Sequence, residues 1–249
     1  MNQKSVVVLG LARSGTSVVA AILRALGVNM GSSVPDKANP YGSFEDRDFA
    51  DLHKKIFDFA GKKTYWHPPA PETILALKEQ CDPLIREVVE KKFLASPVWG
   101  WKHPRTILTL DLFLPYLENP HLIAVFRNPL GIAKSSVEHT KNYISDKVDF
   151  FQALSLVNFY SAELFKALER HRELPTITVA FEDVVSQPME EASRLANFLQ
   201  LELTEEKRKE LESLVIPRDR IAREKARAAG FFTGKIPRLW RKYQNRLSH

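Results

Sequence analysis

The sequence predicts an α/β fold of three layers, with helices on both faces of a mostly parallel sheet. Four short apolar runs, at residues 5–9, 98–101, 121–126 and 176–180, read as buried strands. The stretches between them are too long for hairpins and carry helical periodicity, the alternation that a parallel sheet requires. With 249 residues, 44% hydrophobic and 27% charged, the chain can close one such core without disulfides or metals.

Taken in order, the first strand leads into a helix at about 15–27, and further helices are expected at about 46–60, 72–94, 104–117, 129–140, 149–171, 189–200 and 204–214. Pro68-Pro69, Pro83, Pro104 and Pro175 punctuate the gaps. The segment 28–45 is long and turn-rich for a simple connection, and long ordered loops in compact domains tend to be functional. There is no internal repeat and no low-complexity linker.

Cys81 is the single cysteine, so the chain forms no intrachain disulfide and builds no cysteine-based zinc cluster; a reducing, cytoplasmic setting fits. No metal-ligand spacing is visible, and no apolar run approaches the roughly 20 residues of a membrane helix. The run 5–12 is brief and is cut by Arg13, so it reads as a strand and not as a leader. The net charge of +6 is uneven: residues 216–249 hold ten Lys and Arg against Asp219 and Glu224, leaving the rest slightly acidic. A nucleic-acid-binding protein spreads basic and aromatic residues along a groove, and concentration in one terminal segment speaks against that class. A main domain over 1–215 and a basic tail over 216–249 are therefore expected. Leu239, Trp240, Tyr243 and Leu247 share one face of a tail helix, suited to packing on the domain, with contact to an anionic membrane surface as the alternative.

The chemistry concentrates at strand ends. Val6 to Leu23 reads as strand, tight loop and amphipathic helix. Gly10 and Gly15 let the backbone close around an anion, and the helix points free N–H groups and its positive dipole end toward it. Thr16 and Ser17 add hydroxyls. The spacing is that of a G-x-x-x-x-G phosphate loop, yet Thr16 stands where a nucleoside triphosphatase has Lys, and the cation sits inside the loop at Arg13. A second strand, turn and helix, His121 to Ser136, ends its strand with Arg127, opens its helix with Pro129 and places Ser135 eight residues beyond Arg127. Lys102 closes the strand at 98–101, where open α/β sheets present ligands, with Arg105 close behind. Each feature alone is also compatible with a structural turn or a solvated strand end.

Together they resemble the sulfotransferase family. Arg13-Ser-Gly-Thr-Ser17 is similar to its 5′-phosphosulfate loop, and Arg127 with Ser135 to its 3′-phosphate motif. The resemblance implies 3′-phosphoadenosine 5′-phosphosulfate as donor cosubstrate and no metal. It puts Arg13, Ser14, Gly15, Thr16 and Ser17 on the phosphosulfate and Arg127 and Ser135 on the 3′-phosphate. Arg at position 13 resembles the carbohydrate- and tyrosine-modifying members. Lys102-His-Pro-Arg105 is similar to the family's Lys-Asp-Pro-Arg, with His103 in place of Asp. Lys102 is then expected to stabilise charge on the bridging oxygen, and Arg105 is a substrate-binding candidate for an anionic acceptor.

An acceptor hydroxyl must lose a proton as it attacks sulfur, which calls for a nearby base. Asn39-Pro-Tyr-Gly-Ser-Phe-Glu45 resembles the Asn-Pro-x-Gly-x-x-Glu segment of bacterial relatives, making Glu45 the first choice and His53, His67 and His103 the runners-up. Asp46 reads as a helix N-cap. Trp66-His-Pro-Pro69 looks like an acceptor-side loop, with Trp66 suited to a sugar face. Phe181-Glu182-Asp183, with Pro188 and Phe198-Leu-Gln-Leu201, is similar to the family's Tyr-Glu-Asp-Leu region, and the resemblance spans about 5–201. The acceptor class expected is a small molecule or glycan. The alternatives are a phosphoryl-transfer enzyme using ATP and magnesium, or a nucleotide-binding relative without turnover.

Overall fold

The computed structural model describes residues 3–32, 43–143 and 147–213. The basic tail at 216–249, with its expected helix, and the Asn39 to Gly42 part of the turn-rich segment lie outside these residues. Four strands, β1 (Lys4–Gly10), β2 (Val98–Lys102), β3 (Pro120–Phe126) and β4 (Thr176–Ala180), form one sheet in the order β2-β1-β3-β4. Every pairing is parallel. All four strands therefore end at the same edge, and the sheet changes winding direction at β1, where α/β folds open a crevice for ligands.

Alternation along the strands makes the three layers. Val7 and Leu9 of β1, Trp99 and Trp101 of β2 and Leu122 of β3 turn to one face. There they meet α2 (Arg47–Phe59), α4 (Lys78–Ala95), α5 (Thr106–Phe113) and α7 (Phe150–Arg170). Val6, Val8, Val98, Ile123, Val125 and Val179 turn to the other face, against α1 (Thr16–Ala25), α9 (Pro188–Leu199) and a helix over 205–213. Buried on both faces, β1, β2 and β3 read as largely apolar runs instead of alternating ones, while the edge strand β4 is only partly buried. Phe49 stacks on Trp101 with centroids 4.4 Å apart and planes 3° apart, filling the space under β2.

Local chemistry corrects several expected boundaries. The helix expected over 72–94 is two, α3 (Pro71–Leu75) and α4, with Ala76 and Leu77 between them. Pro83 marks no gap: it lies in the second turn of α4, where it forgoes one backbone hydrogen bond. The helix expected over 104–117 starts at Thr106 and ends at Phe113, followed by a 3-10 turn through Pro115. A short α8 (Phe181–Ser186), unforeseen, begins directly where β4 ends. The remaining helix on the sheet's β3 side is α6 (Pro129–Tyr143). Asn29 pairs with Trp99, so the turn-rich segment enters as an extension of the sheet.

Candidate active site

At the end of β1 the chain reverses through Leu11 to Gly15. Gly10 is required there: a Cβ on it would lie 2.6 Å from Thr16 Cγ2 and 3.1 Å from the Val125 carbonyl. Gly15 has φ +97°, and a Cβ on it would run into the Phe181 ring. Arg13 is itself left-handed, φ 70°, a conformation that costs a non-glycine residue about 1 kcal/mol or more and clusters at functional sites. Ser14 spends both its donors on the Leu11 carbonyl, amide at 3.1 Å and hydroxyl at 2.7 Å, so it shapes the loop. Ala12 N–H donates to Tyr65 Oη at 3.1 Å. Ser17 Oγ donates to the Ser43 carbonyl at 3.1 Å. Among the described residues, the amides of Arg13, Gly15, Thr16 and Ser17 have no acceptor in the protein. Unsatisfied amides at a helix start form a ready anion site.

The second strand-turn-helix meets this loop. Arg127 Nη1 donates to the Arg13 carbonyl at 2.7 Å, and Arg13 Nε donates to Ser135 Oγ at 3.1 Å. The Arg127 guanidinium lies over Phe181, 4.5 Å from the ring centroid. Asn128 Oδ1 accepts from the amides of Leu130 and Gly131, starting α6, while Asn128 N donates to Glu182 Oε1 at 2.9 Å. Burial lowers the pKa of both guanidines, opposed by Glu182 near Arg127 and Glu138 near Arg13. Among the described residues neither has a carboxylate at ion-pair distance, so two half-buried cations stand beside a loop whose amides lack acceptors. Such an arrangement is costly until an anion fills it.

Lys102 ends β2 and is buried. Its ammonium is 2.7 Å from Glu45 Oε1, and burial lowers its pKa while Glu45 raises it. Glu45 is carried on a short bend: Phe44 is left-handed, φ 53°, and Asp46 caps α2 by accepting from Asp48 N at 3.1 Å and Phe49 N at 3.4 Å. Lys92 of α4 pairs with Asp46 at 2.7 Å, clamping α4 to the start of α2. His103 Nε2 faces Glu45 Oε2 across 3.7 Å, and its ring stacks on His53 at 4.4 Å. Arg105 lies 4.8 Å over the Phe57 ring, with its Nε buried and without a hydrogen-bond partner among the described residues.

The candidates thus fall into two groups. Arg13, Gly15, Thr16, Ser17, Arg127 and Ser135 come together at the β1–α1 loop and the start of α6; Lys102, Glu45, His103 and Arg105 lie at the end of β2. Trp66 is half-buried, edge-on to Tyr65 and packed against the cluster of Ala133, Val148 and Ala153. Beside it Tyr65 stacks on Tyr160 at 4.4 Å, and Tyr160 Oη donates to the Tyr65 carbonyl. His67 is exposed in the turn beyond Trp66. His53 is sealed in the core and belongs to a hydrogen-bonded network below the site. Tyr65 and Thr106 carry no sequence signal, because an isolated aromatic or hydroxyl residue has no motif; Phe181 stands in the segment similar to the family's Tyr-Glu-Asp-Leu region, but that resemblance gives it no place beside Gly15 and Arg127.

The fold and its strand-end loop define a P-loop-like α/β domain with Thr16 where a P-loop carries its lysine. The model of the sulfotransferase family matches residues 5–205, and the chain belongs to that family. No curated protein sequence matches it. Solved structures that share the fold include two sulfotransferase domains. The sulfotransferase domain from the Synechococcus PCC 7002 olefin synthase has TM-score 0.53 and 16% identity over 83% of this chain and 76% of that one. The sulfotransferase domain from the curacin biosynthetic pathway has TM-score 0.52 and 16% identity over 82% and 76%. Among the described residues no helix is long and apolar enough to cross a membrane.

Proposed function

We propose that the chain transfers a sulfuryl group from 3′-phosphoadenosine 5′-phosphosulfate to the hydroxyl of a small molecule or glycan. The observation that carries this reading is that Arg13 and Arg127, two half-buried guanidiniums with no carboxylate at ion-pair distance among the described residues, meet at the β1–α1 loop, where four amides have no acceptor among those residues. A donor with anionic groups at both its 3′ and 5′ ends answers two cations better than the single phosphate chain of ATP. Thr16 in place of a P-loop lysine also removes the residue that a magnesium-ATP enzyme needs.

In this reading the loop amides and Arg13 hold the phosphosulfate, while Arg127 and Ser135 hold the 3′-phosphate. Glu45 takes the acceptor proton as the acceptor oxygen bonds to sulfur. The bond from sulfur to the 5′-phosphate oxygen breaks, and Lys102 meets the charge that develops on that oxygen. The 2.7 Å pairing of Lys102 with Glu45 links the two events. Protonation of Glu45 weakens its grip on the ammonium at the moment when the leaving oxygen needs it. Arg105 and Trp66 line the acceptor side, one for an anionic group and one for a sugar face.

The decisive experiment is thermal stabilisation by adenosine 3′,5′-bisphosphate against ADP with magnesium, followed by transfer of labelled sulfate from the donor to a panel of sugars, phenols and alcohols. Ligand binding to the native state raises stability by mass action, so preference for the bisphosphate supports this reading. Magnesium-dependent preference for ADP overturns it.

A further inference from the structure

Lys102 serves two partners in the mechanism above, Glu45 in the free protein and the leaving oxygen during transfer. One ammonium that turns fully to the 5′-phosphate leaves Glu45, 31% exposed at its side chain, without the partner that fixes it. His103 is the nearest further donor with a defined direction. It stands where the resembling family motif has Asp, a carboxylate that could not donate.

Every hydrogen around His103 is assigned one way. The Arg105 amide donates to His103 Nδ1 at 3.3 Å, so the neutral ring carries its hydrogen on Nε2, the nitrogen facing Glu45. The ring is held flat on His53, with planes 21° apart. His53 is itself fixed: its Nδ1–H donates to the Phe49 carbonyl at 2.7 Å, and its Nε2 accepts from Thr106 Oγ1 at 3.1 Å. Thr106 Oγ1 in turn accepts from Trp101 Nε1 at 3.1 Å. Burial, together with the cations of Arg105 and Lys102, keeps His103 neutral. At 3.7 Å the His103 to Glu45 separation is longer than a hydrogen bond, so Lys102 holds Glu45 in this state. A shift of under about 1 Å would close the gap.

We propose that His103 is a positioning residue for Glu45: when Lys102 swings to the donor's 5′-phosphate, the fixed Nε2–H of His103 takes over the carboxylate. A neutral donor orients a carboxylate without the positive charge that opposes its protonation. The inference rests on the reading of Lys102 and Glu45 given above.

The test is a double-mutant cycle on the binding of adenosine 3′,5′-bisphosphate, whose terminal 5′ oxygens carry the charge that draws Lys102 away. His103→Phe should weaken binding about tenfold when Glu45 is present, and less than about twofold in the Glu45→Gln background. His103→Gln, whose amide reaches the Nε2 position, should stay within about threefold of wild type. If His103→Phe does not fold, His103→Asn, too short to reach Glu45, takes its place in the cycle. Equal losses in both backgrounds, or no loss with Glu45 present, overturn the hand-over. Failure of the wild type itself to bind the bisphosphate overturns the donor reading, and the proposal with it.

Discussion

Lys102 Nζ lies 2.7 Å from Glu45 Oε1, so the cation expected at the leaving oxygen and the carboxylate expected at the acceptor proton form one ion pair. They come from distant parts of the chain, the end of β2 and the bend before α2.

Lys102→Ala should lower kcat by about 100-fold or more, the usual cost of removing a donor that acts on developing charge. The donor KM should change little, because the bridging oxygen carries little charge before transfer. Affinity for adenosine 3′,5′-bisphosphate, where that charge is complete, should fall more than the donor KM rises. Steady-state kinetics with an acceptor found in the panel, paired with calorimetry, checks both. Unchanged kcat removes Lys102 from the mechanism.

Arg127→Ala should weaken adenosine 3′,5′-bisphosphate by about 10- to 100-fold, since a hydrogen bond to a charged group contributes about 1.5–3 kcal/mol. Sequence alone suggests an effect confined to the 3′-phosphate. The bond from Arg127 Nη1 to the Arg13 carbonyl revises this: adenosine 5′-phosphate should also lose affinity, by a few-fold, as the loop slackens. Ser135→Ala should act in the same direction and more weakly. Equal losses for the two nucleotides would sink the assignment of Arg127.

Gly15→Ala should destabilise the fold by at least about 1–2 kcal/mol, because φ +97° disfavours a Cβ and the Phe181 ring already fills the space. Adding Phe181→Ala should restore the room but not the backbone preference, giving partial recovery in urea denaturation. Full recovery would show that the collision alone matters.

Burial holds His53 and His103 well below the ordinary imidazole value of 6.5. The folded chain keeps them neutral while the unfolded chain takes up protons as the pH falls through that value. Their contribution is therefore complete above pH 6.5 and is lost below it, at up to about 1.4 kcal/mol per pH unit for each histidine. Urea denaturation at pH 7.5, 6.5 and 5.5 should show stability falling in the lower interval. A flat profile would mean that the two rings take up protons in place.

Asp46→Ala removes the α2 cap and a partner of Lys92, and should cost about 2 kcal/mol. Asp46→Asn keeps the cap and should recover about half of it. Because Glu45 directly precedes this cap, turnover should fall with stability in the first variant and much less in the second.

The parallel pairing of the strands was legible because burial on both faces leaves largely apolar runs at β1, β2 and β3, and the long helical spacers forbid hairpins. The β1–α1 turn was legible too, since Gly10 and Gly15 between an apolar run and a helical pattern mark a tight strand-to-helix loop, and Asp46 announced its cap by type and position. Short-range signals failed where the decision was tertiary. Pro83 reads as a breaker, yet α4 carries it because its packing on the sheet outweighs one missing hydrogen bond. Ser14 looks like a ligand residue, but its hydroxyl turns inward to Leu11. Above all, residue types alone could nominate Arg13, Arg127, Lys102, Glu45 and His103. Only the parallel sheet, by ending its strands at one edge, could decide that Arg13 meets Ser135, that Lys102 meets Glu45, and that His103 points its remaining hydrogen at the same carboxylate. Distances between residues far apart in sequence are set by how faces pack, and no local pattern encodes them.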